Sequence, residues 1–338
     1  MNFGWRVPSY ARATTTSETS RALVPYFAQV EEAGLAAIWV IDHLLVAPNV
    51  YSTAWHDPMV TLSVAAGVTE EVKLGTAILC APFRHPTITA KETATLDHLP
   101  GGGRVILGVG TGHDDKEFAS VGIPRSERGK RTDEALELIQ LLLSQDDVAY
   151  EGRYYQVEEG TSLYPRPEEP IPIWIGGGSQ VHIVDNVDTP NMAPAVLARI
   201  GRHDGWICRS SGTSPEIIAS DISSVDNYLR GRRDMDDFTM SHAQWLHIVD
   251  STDRDEIIAE QLRAYRTVMD VKRSDDDLQK AYLFGTIDEM TYQDVREYPV
   301  YEYRITFPME GGLPQITRIL REQTESSPVV PLDPSDTA

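Results

Sequence analysis

A histidine at the end of an apolar run is the first residue here that could do chemistry. Ala37-Ile38-Trp39-Val40-Ile41 runs into Asp42-His43. An imidazole with an unperturbed pKa near ~6.5 can give or take a proton at neutral pH. The alternative for His43 is a structural histidine whose ring is held by Asp42. Two later apolar runs end in glycines and a hydroxyl. Val105-Ile106-Leu107-Gly108-Val109 leads into Gly110-Thr111-Gly112, and Ile173-Trp174-Ile175 into Gly176-Gly177-Gly178-Ser179. Glycine lets a ligand approach the backbone, and exposed N–H groups beside a hydroxyl can hold a phosphate. Tyr51, Trp55 and His56 follow His43 closely and could wall a substrate pocket.

Other chemistries lack their signatures. No Gly-Lys-Ser/Thr follows the glycines, so there is no Walker loop, and no G-x-G-x-x-G opens an early helix. No H-x-x-x-H or paired-cysteine spacing marks a metal site. No G-x-S-x-G elbow presents a nucleophilic serine. A carboxylate-pair hydrolase stays open, weakened because no acidic residue directly follows the fourth or seventh strand.

These residues need a scaffold that brings distant strand ends together. Strands are expected at Phe3–Trp5, Ala37–Ile41, Lys73–Leu79, Arg104–Val109, Ile173–Ile175, Gly205–Cys208, Ala243–Val249 and Tyr301–Phe307. Helical patterns lie between them at 20–33, 57–68, 87–99, 131–143, 192–201, 215–229 and 254–269. Shorter helices are expected at 288–296 and 313–322, and a small hairpin at 150–157. Eight strand–helix units, with strands apolar at successive positions, predict an α/β fold, a TIM-like (β/α)8 barrel with insertions. The expectation is one barrel domain over residues 1–324 and a flexible tail over 325–338. In such a barrel the site forms at the carboxyl ends of the strands, where His43, Thr76, Thr111 and Ser179 would meet.

The chain has 338 residues and a net charge of −21, from 51 acidic and 30 basic side chains. That balance repels nucleic acid and anionic membranes. No run reaches the ~18 apolar residues of a membrane span, and the N-terminus lacks the layout of a secretion signal. Cys80 and Cys208, the two cysteines, are expected as buried free thiols, which suits a cytoplasmic protein.

The run from about residue 37 to 208 resembles the bacterial luciferase-like family of flavin-dependent oxidoreductases. The resemblance rests on Ile41-Asp42-His43-Leu44, Leu74-Gly75-Thr76-Ala77-Ile78-Leu79 and Arg84-His85-Pro86. It continues through Ala94-Thr95-Leu96-Asp97, Leu107-Gly108-Val109-Gly110-Thr111-Gly112, Arg128-Gly129-Lys130-Arg131-Thr132, Pro172-Ile173-Trp174-Ile175-Gly176-Gly177 and Asp204-Gly205-Trp206. It implies a flavin at the strand carboxyl ends, resting on a bulge in the third strand at Thr76, Ala77 and Ile78, sometimes with a non-proline cis peptide. Phosphate contacts would come from Gly110, Thr111, Gly177, Gly178 and Ser179. His43 would act near the reactive edge of the ring, and Tyr51 and Trp55 would hold the substrate. The activity so implied is a monooxygenase using reduced FMN, supplied by a separate flavin reductase, and O2 to oxygenate a small organic substrate. The alternative on the same barrel is hydride transfer with the deazaflavin coenzyme F420, whose more acidic tail would call for basic residues such as Arg202 and Arg209. A third reading, from another class, is a flavin-free barrel with a binding role. Relatives are often homodimers through barrel helices. The stretch Gln180–Pro190 departs from the family pattern, in which the chain passes directly into a helix.

Overall fold

The computed structural model describes residues 2–11, 16–46, 53–182, 187–189, 191–208, 212–269, 273–286, 289 and 302–306. The barrel strands are β1 (Asn2–Arg6), β2 (Ala37–Val40), β3 (Lys73–Thr76), β4 (Val105–Gly110), β5 (Ile173–Gly177), β6 (Gly205–Cys208), β7 (Thr239–Trp245) and β8 (Glu302–Thr306). Each pairs in parallel with the next. β8 returns in parallel to β1, so the ring closes. The helices are α1 (Thr16–Glu32), α2 (Pro58–Ala66), α3 (Pro86–His98), α4 (Asp115–Ser120), α5 (Arg128–Ser144), α6 (Pro194–Ile200), α7 (Pro215–Leu229), α8 (Arg254–Val268) and α9 (Asp275–Ala281). The expected (β/α)8 architecture is the observed one.

Alternation along each strand sorts side chains between two layers. Ala37 and Trp39 of β2, Ile106 of β4, Trp174 of β5 and Ile207 of β6 form one cluster inside the barrel. Ile38, Val40, Leu107, Val109, Ile173, Ile175 and Trp206, the intervening positions, belong to the larger core shared with the helices. The indoles of Trp39 and Trp174 lie 5.3 Å apart, centroid to centroid, and fill the lumen. Any ligand must therefore sit above them, towards the strand carboxyl ends.

Helix starts follow their local signals. Asp57 caps α2 by accepting from the Val60 N–H, with Pro58 in the first turn. His85 caps α3 with Pro86 next. Asp114 caps α4, accepting from the N–H groups of Lys116 and Glu117.

Two strands depart from expectation. β7 occupies Thr239–Trp245 rather than 243–249. Its buried positions include Ser241 and His242, both fully enclosed, so an apolar-run criterion starts four residues late. The third strand breaks after Thr76 and resumes as Leu79–Cys80, paired with β4. Gly75 faces Ile106 and Leu79 faces Val109, so four steps on one strand match three on the other. One residue is extra, which is a β-bulge.

The hairpin expected at 150–157 is Val148–Glu151 with Gln156–Thr161. Gln180–His182 and Val187–Thr189 form another hairpin where a helix would directly follow β5 in the family pattern. The tail at 325–338 and the helices expected at 288–296 and 313–322 lie, residue 289 aside, outside the described residues. Cys80 and Cys208 are buried and not joined by a disulfide. No helix among the described residues is long and apolar enough to cross a membrane.

Candidate active site

The bulge at Ala77-Ile78 shapes the floor of the site. The peptide bond between these residues is cis. The Ala77 N–H donates to the Val40 carbonyl at 2.7 Å, and the Asp42 N–H to the Ile78 carbonyl at 3.3 Å. The Thr76 hydroxyl donates to the Gly108 carbonyl at 2.7 Å. These bonds tie the bulge to β2 on one side and β4 on the other. Glycines make room for it. A Cβ on Gly108 would lie 1.9 Å from the Thr76 carbonyl oxygen, and Cβ atoms on Gly110 and Gly176 would lie 2.6 and 2.4 Å from the Ile78 side chain. Thr76 and Leu79 are buried, but Ala77 and Ile78 between them are partly exposed.

Beside the bulge, Asp42 is buried and works on structure rather than on His43. Its carboxylate accepts from the Cys80 N–H at 2.9 Å and from both ends of the Arg84 guanidinium, at 2.5 and 3.2 Å. Arg84 also reaches Asp57 at 2.7 Å. Burial works against the charge on Arg84, but the hydrogen bonds and charges of Asp42 and Asp57 outweigh it and hold the group protonated. Burial, reinforced by Asp42 and Glu117, pushes the Cys80 thiol well above its usual range, so it is inert as a nucleophile.

The residue that holds His43 is Glu117. His43 Nδ1 lies 3.2 Å from Glu117 Oε1, and the same oxygen accepts the Leu45 N–H at 3.2 Å. The His43 side chain is 8% exposed and that of Glu117 is 1% exposed. Trp55 leans on the imidazole at 5.2 Å, and His113 meets it edge-on at 5.8 Å. Asp42 as the partner of the His43 ring is thus corrected: its oxygens are taken up by Arg84 and Cys80, and the carboxylate on the short helix α4 takes its place. Glu117 escapes a reading by strand ends because it lies seven positions beyond Gly110. Its signal is the Asp114-x-x-Glu117 spacing of a capping box, here with the Glu turned to His43.

The other expected residues fall at the same end of the barrel. Gly110 is buried at the end of β4, and Thr111 and Gly112 after it are partly exposed. Gly177 and Gly178 are partly exposed at the end of β5, and the Gly177 carbonyl accepts the Trp206 indole N–H at 3.0 Å. Ser179 is different. It is 2% exposed. Its N–H donates to Asp221 Oδ2 at 2.7 Å, and its hydroxyl to Oδ1 of the same carboxylate. Both donors are committed to a buried acid on α7, so Ser179 fastens that helix to the rim rather than offering its donors to a phosphate. Asp221 gave no sequence signal, being one polar residue in an amphipathic helix. Tyr51 and Arg209 lie outside the described residues. Arg202 pairs with Asp133 at 3.0 Å on the surface, as buried Arg199 does at 2.8 Å. No cluster of three or more metal-ligating side chains occurs among the described residues.

The arrangement can seat a flat ring on the exposed bulge, place an imidazole–carboxylate pair at its edge, and offer Thr111, Gly177 and Gly178 to a phosphate. A F420-dependent glucose-6-phosphate dehydrogenase of Kineococcus radiotolerans is 37% identical over 192 residues, 56% of this chain and 52% of that protein. The match thus spans about half the length of that relative. One from Intrasporangium calvum is 29% identical over 328 residues, 88% of this chain and 89% of that protein. Among solved structures, the monooxygenase RslO1 of Streptomyces bottropensis superposes with a TM-score of 0.73 at 20% identity, covering 95% of this chain and 98% of its own. A F420-dependent secondary alcohol dehydrogenase, solved with an F420–acetone adduct, also gives 0.73 at 20% identity, covering 95% and 97%. These structural likenesses establish the shared barrel. The family model for luciferase-like monooxygenases matches residues 1–185, more than half of the chain, and the chain belongs to that family.

Proposed function

We propose that this protein is an oxidoreductase that uses coenzyme F420 to oxidise a small hydroxylated substrate, with a sugar phosphate as the first candidate. This reading takes precedence over FMN-dependent oxygenation because curated relatives at 35–37% identity are F420-dependent dehydrogenases, whereas the likeness to RslO1 stands at 20%. The observation that carries the site is the His43–Glu117 pair beside the exposed bulge.

The residues fit such a group. Ala77 and Ile78 are partly exposed between buried neighbours and would back the ring, with Thr76 keeping the bulge in place. Gly110, Thr111, Gly177 and Gly178 would face the phosphate, and Ser179 would hold the rim. When bound, the deazaflavin supplies a carbon that accepts hydride from the substrate alcohol carbon. Glu117 at His43 Nδ1 favours the tautomer with its proton on that atom and makes Nε2 the basic nitrogen. Nε2 then takes the hydroxyl proton of the substrate, and Glu117 stabilises the imidazolium that results. Trp55 shields the pair from water and walls the substrate side. This chemistry needs neither O2 nor a flavin reductase.

Val60, Val64, Ile88 and Leu99 are exposed on the outer face of α2 and α3 and the turn after it, Leu99 to 76% and Val60 to 65%. That apolar face supports a homodimer as the assembled form.

The test is titration of purified protein with coenzyme F420 and with FMN, followed by anaerobic mixing of the F420 complex with glucose 6-phosphate. Saturable F420 binding and loss of its absorbance without oxygen are expected. Tight FMN binding with no F420 binding, and product labelled from 18O2, would overturn the reading.

A further inference from the structure

Arg273 is a buried cation whose donors are only partly met. It precedes α9 and is 7% exposed. Its Nη1 donates to the Gly212 carbonyl at 2.7 Å. Its Nε and Nη2 are buried and meet no acceptor among the described residues. A guanidinium taken out of water without a counter-charge is strongly unfavourable. The sequence holds 51 acidic side chains, yet among the described residues no carboxylate is set against this one. Arg266, on the adjoining turn of α8, is by contrast paired with Asp275.

The unmet donors are also the informative ones. Nε–H and the outward N–H of Nη2 lie along one edge of the planar guanidinium and point the same way. That edge matches two oxygens of a single carboxylate or phosphate. The bond from Nη1 to Gly212 fixes the plane of the group, so the edge is pre-oriented. Gly212 lies in the turn after β6, on the strand-carboxyl side of the barrel where His43 and Thr111 are found. Its Cα packs under Tyr282, since a Cβ there would lie 2.6 Å from the Tyr282 hydroxyl. Tyr282 is hydrogen-bonded to Tyr265 at 3.1 Å, and Trp245 and Phe284 join them in one aromatic cluster. The unmet guanidinium edge thus lies beside a rigid aromatic wall.

We propose that Arg273, braced by the Gly212 carbonyl and flanked by Tyr282, binds the phosphate or carboxylate group of a ligand through its Nε/Nη2 edge. The oxyanion comes from the substrate or from the acidic tail of the cofactor. Only that choice of source rests on the functional reading above; the binding itself does not.

The experiment is calorimetric titration of the full chain with inorganic phosphate, glucose 6-phosphate and coenzyme F420, for wild type, Arg273→Met and Arg273→Lys. Wild type is expected to bind phosphate saturably and to gain Tm as phosphate is added. Arg273→Met loses about 10- to 100-fold in oxyanion affinity, as expected when hydrogen bonds to a charged group are removed. It also keeps or gains Tm in anion-free buffer. Arg273→Lys, a point charge without the paired edge, falls between the two. A raised KM for glucose 6-phosphate with unchanged F420 affinity assigns the oxyanion to the substrate, and the converse assigns it to the cofactor; both uphold the site. Phosphate binding through Arg273 without F420 binding or turnover keeps this site and overturns the functional reading. The proposal falls if wild type binds none of the three ligands saturably. It also falls if Arg273→Met or Arg273→Lys binds phosphate as tightly as wild type.

Discussion

In the proposed mechanism the role of His43 depends on one oxygen of Glu117, which also accepts the Leu45 N–H. Replacing that carboxylate by an amide keeps the shape and removes the charge that steadies the imidazolium. Glu117→Gln is therefore expected to lower kcat/KM by about 100-fold, the lower end of general acid–base effects, while F420 affinity in direct titration stays within about two-fold. An equal loss of both would make Glu117 a packing residue. Asp42, next in sequence to His43, serves a separate task. It couples Arg84 to the Cys80 N–H, and so connects the N-cap of α2 to the strand segment after the bulge. Two adjacent residues thus have separate partners, and only those partners, met in three dimensions, tell them apart.

At the scale of elements, the bulge depends on the absence of side chains around it. Gly108→Ala would set a methyl 1.9 Å from the Thr76 carbonyl oxygen. The backbone must shift, since carbonyl oxygens cannot rotate aside as a long side chain can. The expected cost is about 1–3 kcal/mol in urea denaturation, as for overpacked cores, together with loss of F420 binding; unchanged binding would mean that the ring does not rest there. Much of this element was legible beforehand. Glycine-ended apolar runs placed β4 and β5, and the Thr76-Ala77-Ile78 segment placed the bulge through family resemblance. What was not legible had a physical cause in each case. The start of β7 is hidden by Ser241 and His242, polar residues fully enclosed in the barrel wall. Glu117 reads as an ordinary first-turn acid of a short helix until His43 is brought beside it. Asp221 takes the Ser179 donors from a helix 42 residues away, a pairing that no local spacing encodes.

For the whole molecule, the net charge of −21 sets self-repulsion against compactness, and added salt is expected to raise Tm by screening it. Acid adds a specific effect through His203. This residue is 4% exposed, and burial lowers its pKa from 6.5 to about 4, only partly offset by Asp204. The unfolded chain binds the proton near pH 6.5 and the folded chain only near pH 4. Stability is then full above pH 6.5 and is lost as pH falls towards 4. Between pH 7 and pH 5 the loss from this one group is about 2 kcal/mol. Urea denaturation of wild type and His203→Gln at both pH values isolates it: the variant should lose less stability on acidification by about that amount, and parallel losses would rule His203 out.

The paired indoles of Trp39 and Trp174 that plug the barrel give the protein an optical reporter of its own. They lie in one cluster with Ala77 and Ile78, so a chromophore seated on that ledge would come within energy-transfer range of both emitters. Quenching of their fluorescence should then track occupancy directly, without label or turnover, and Trp174→Phe should dim the signal while leaving the dissociation constant where it was.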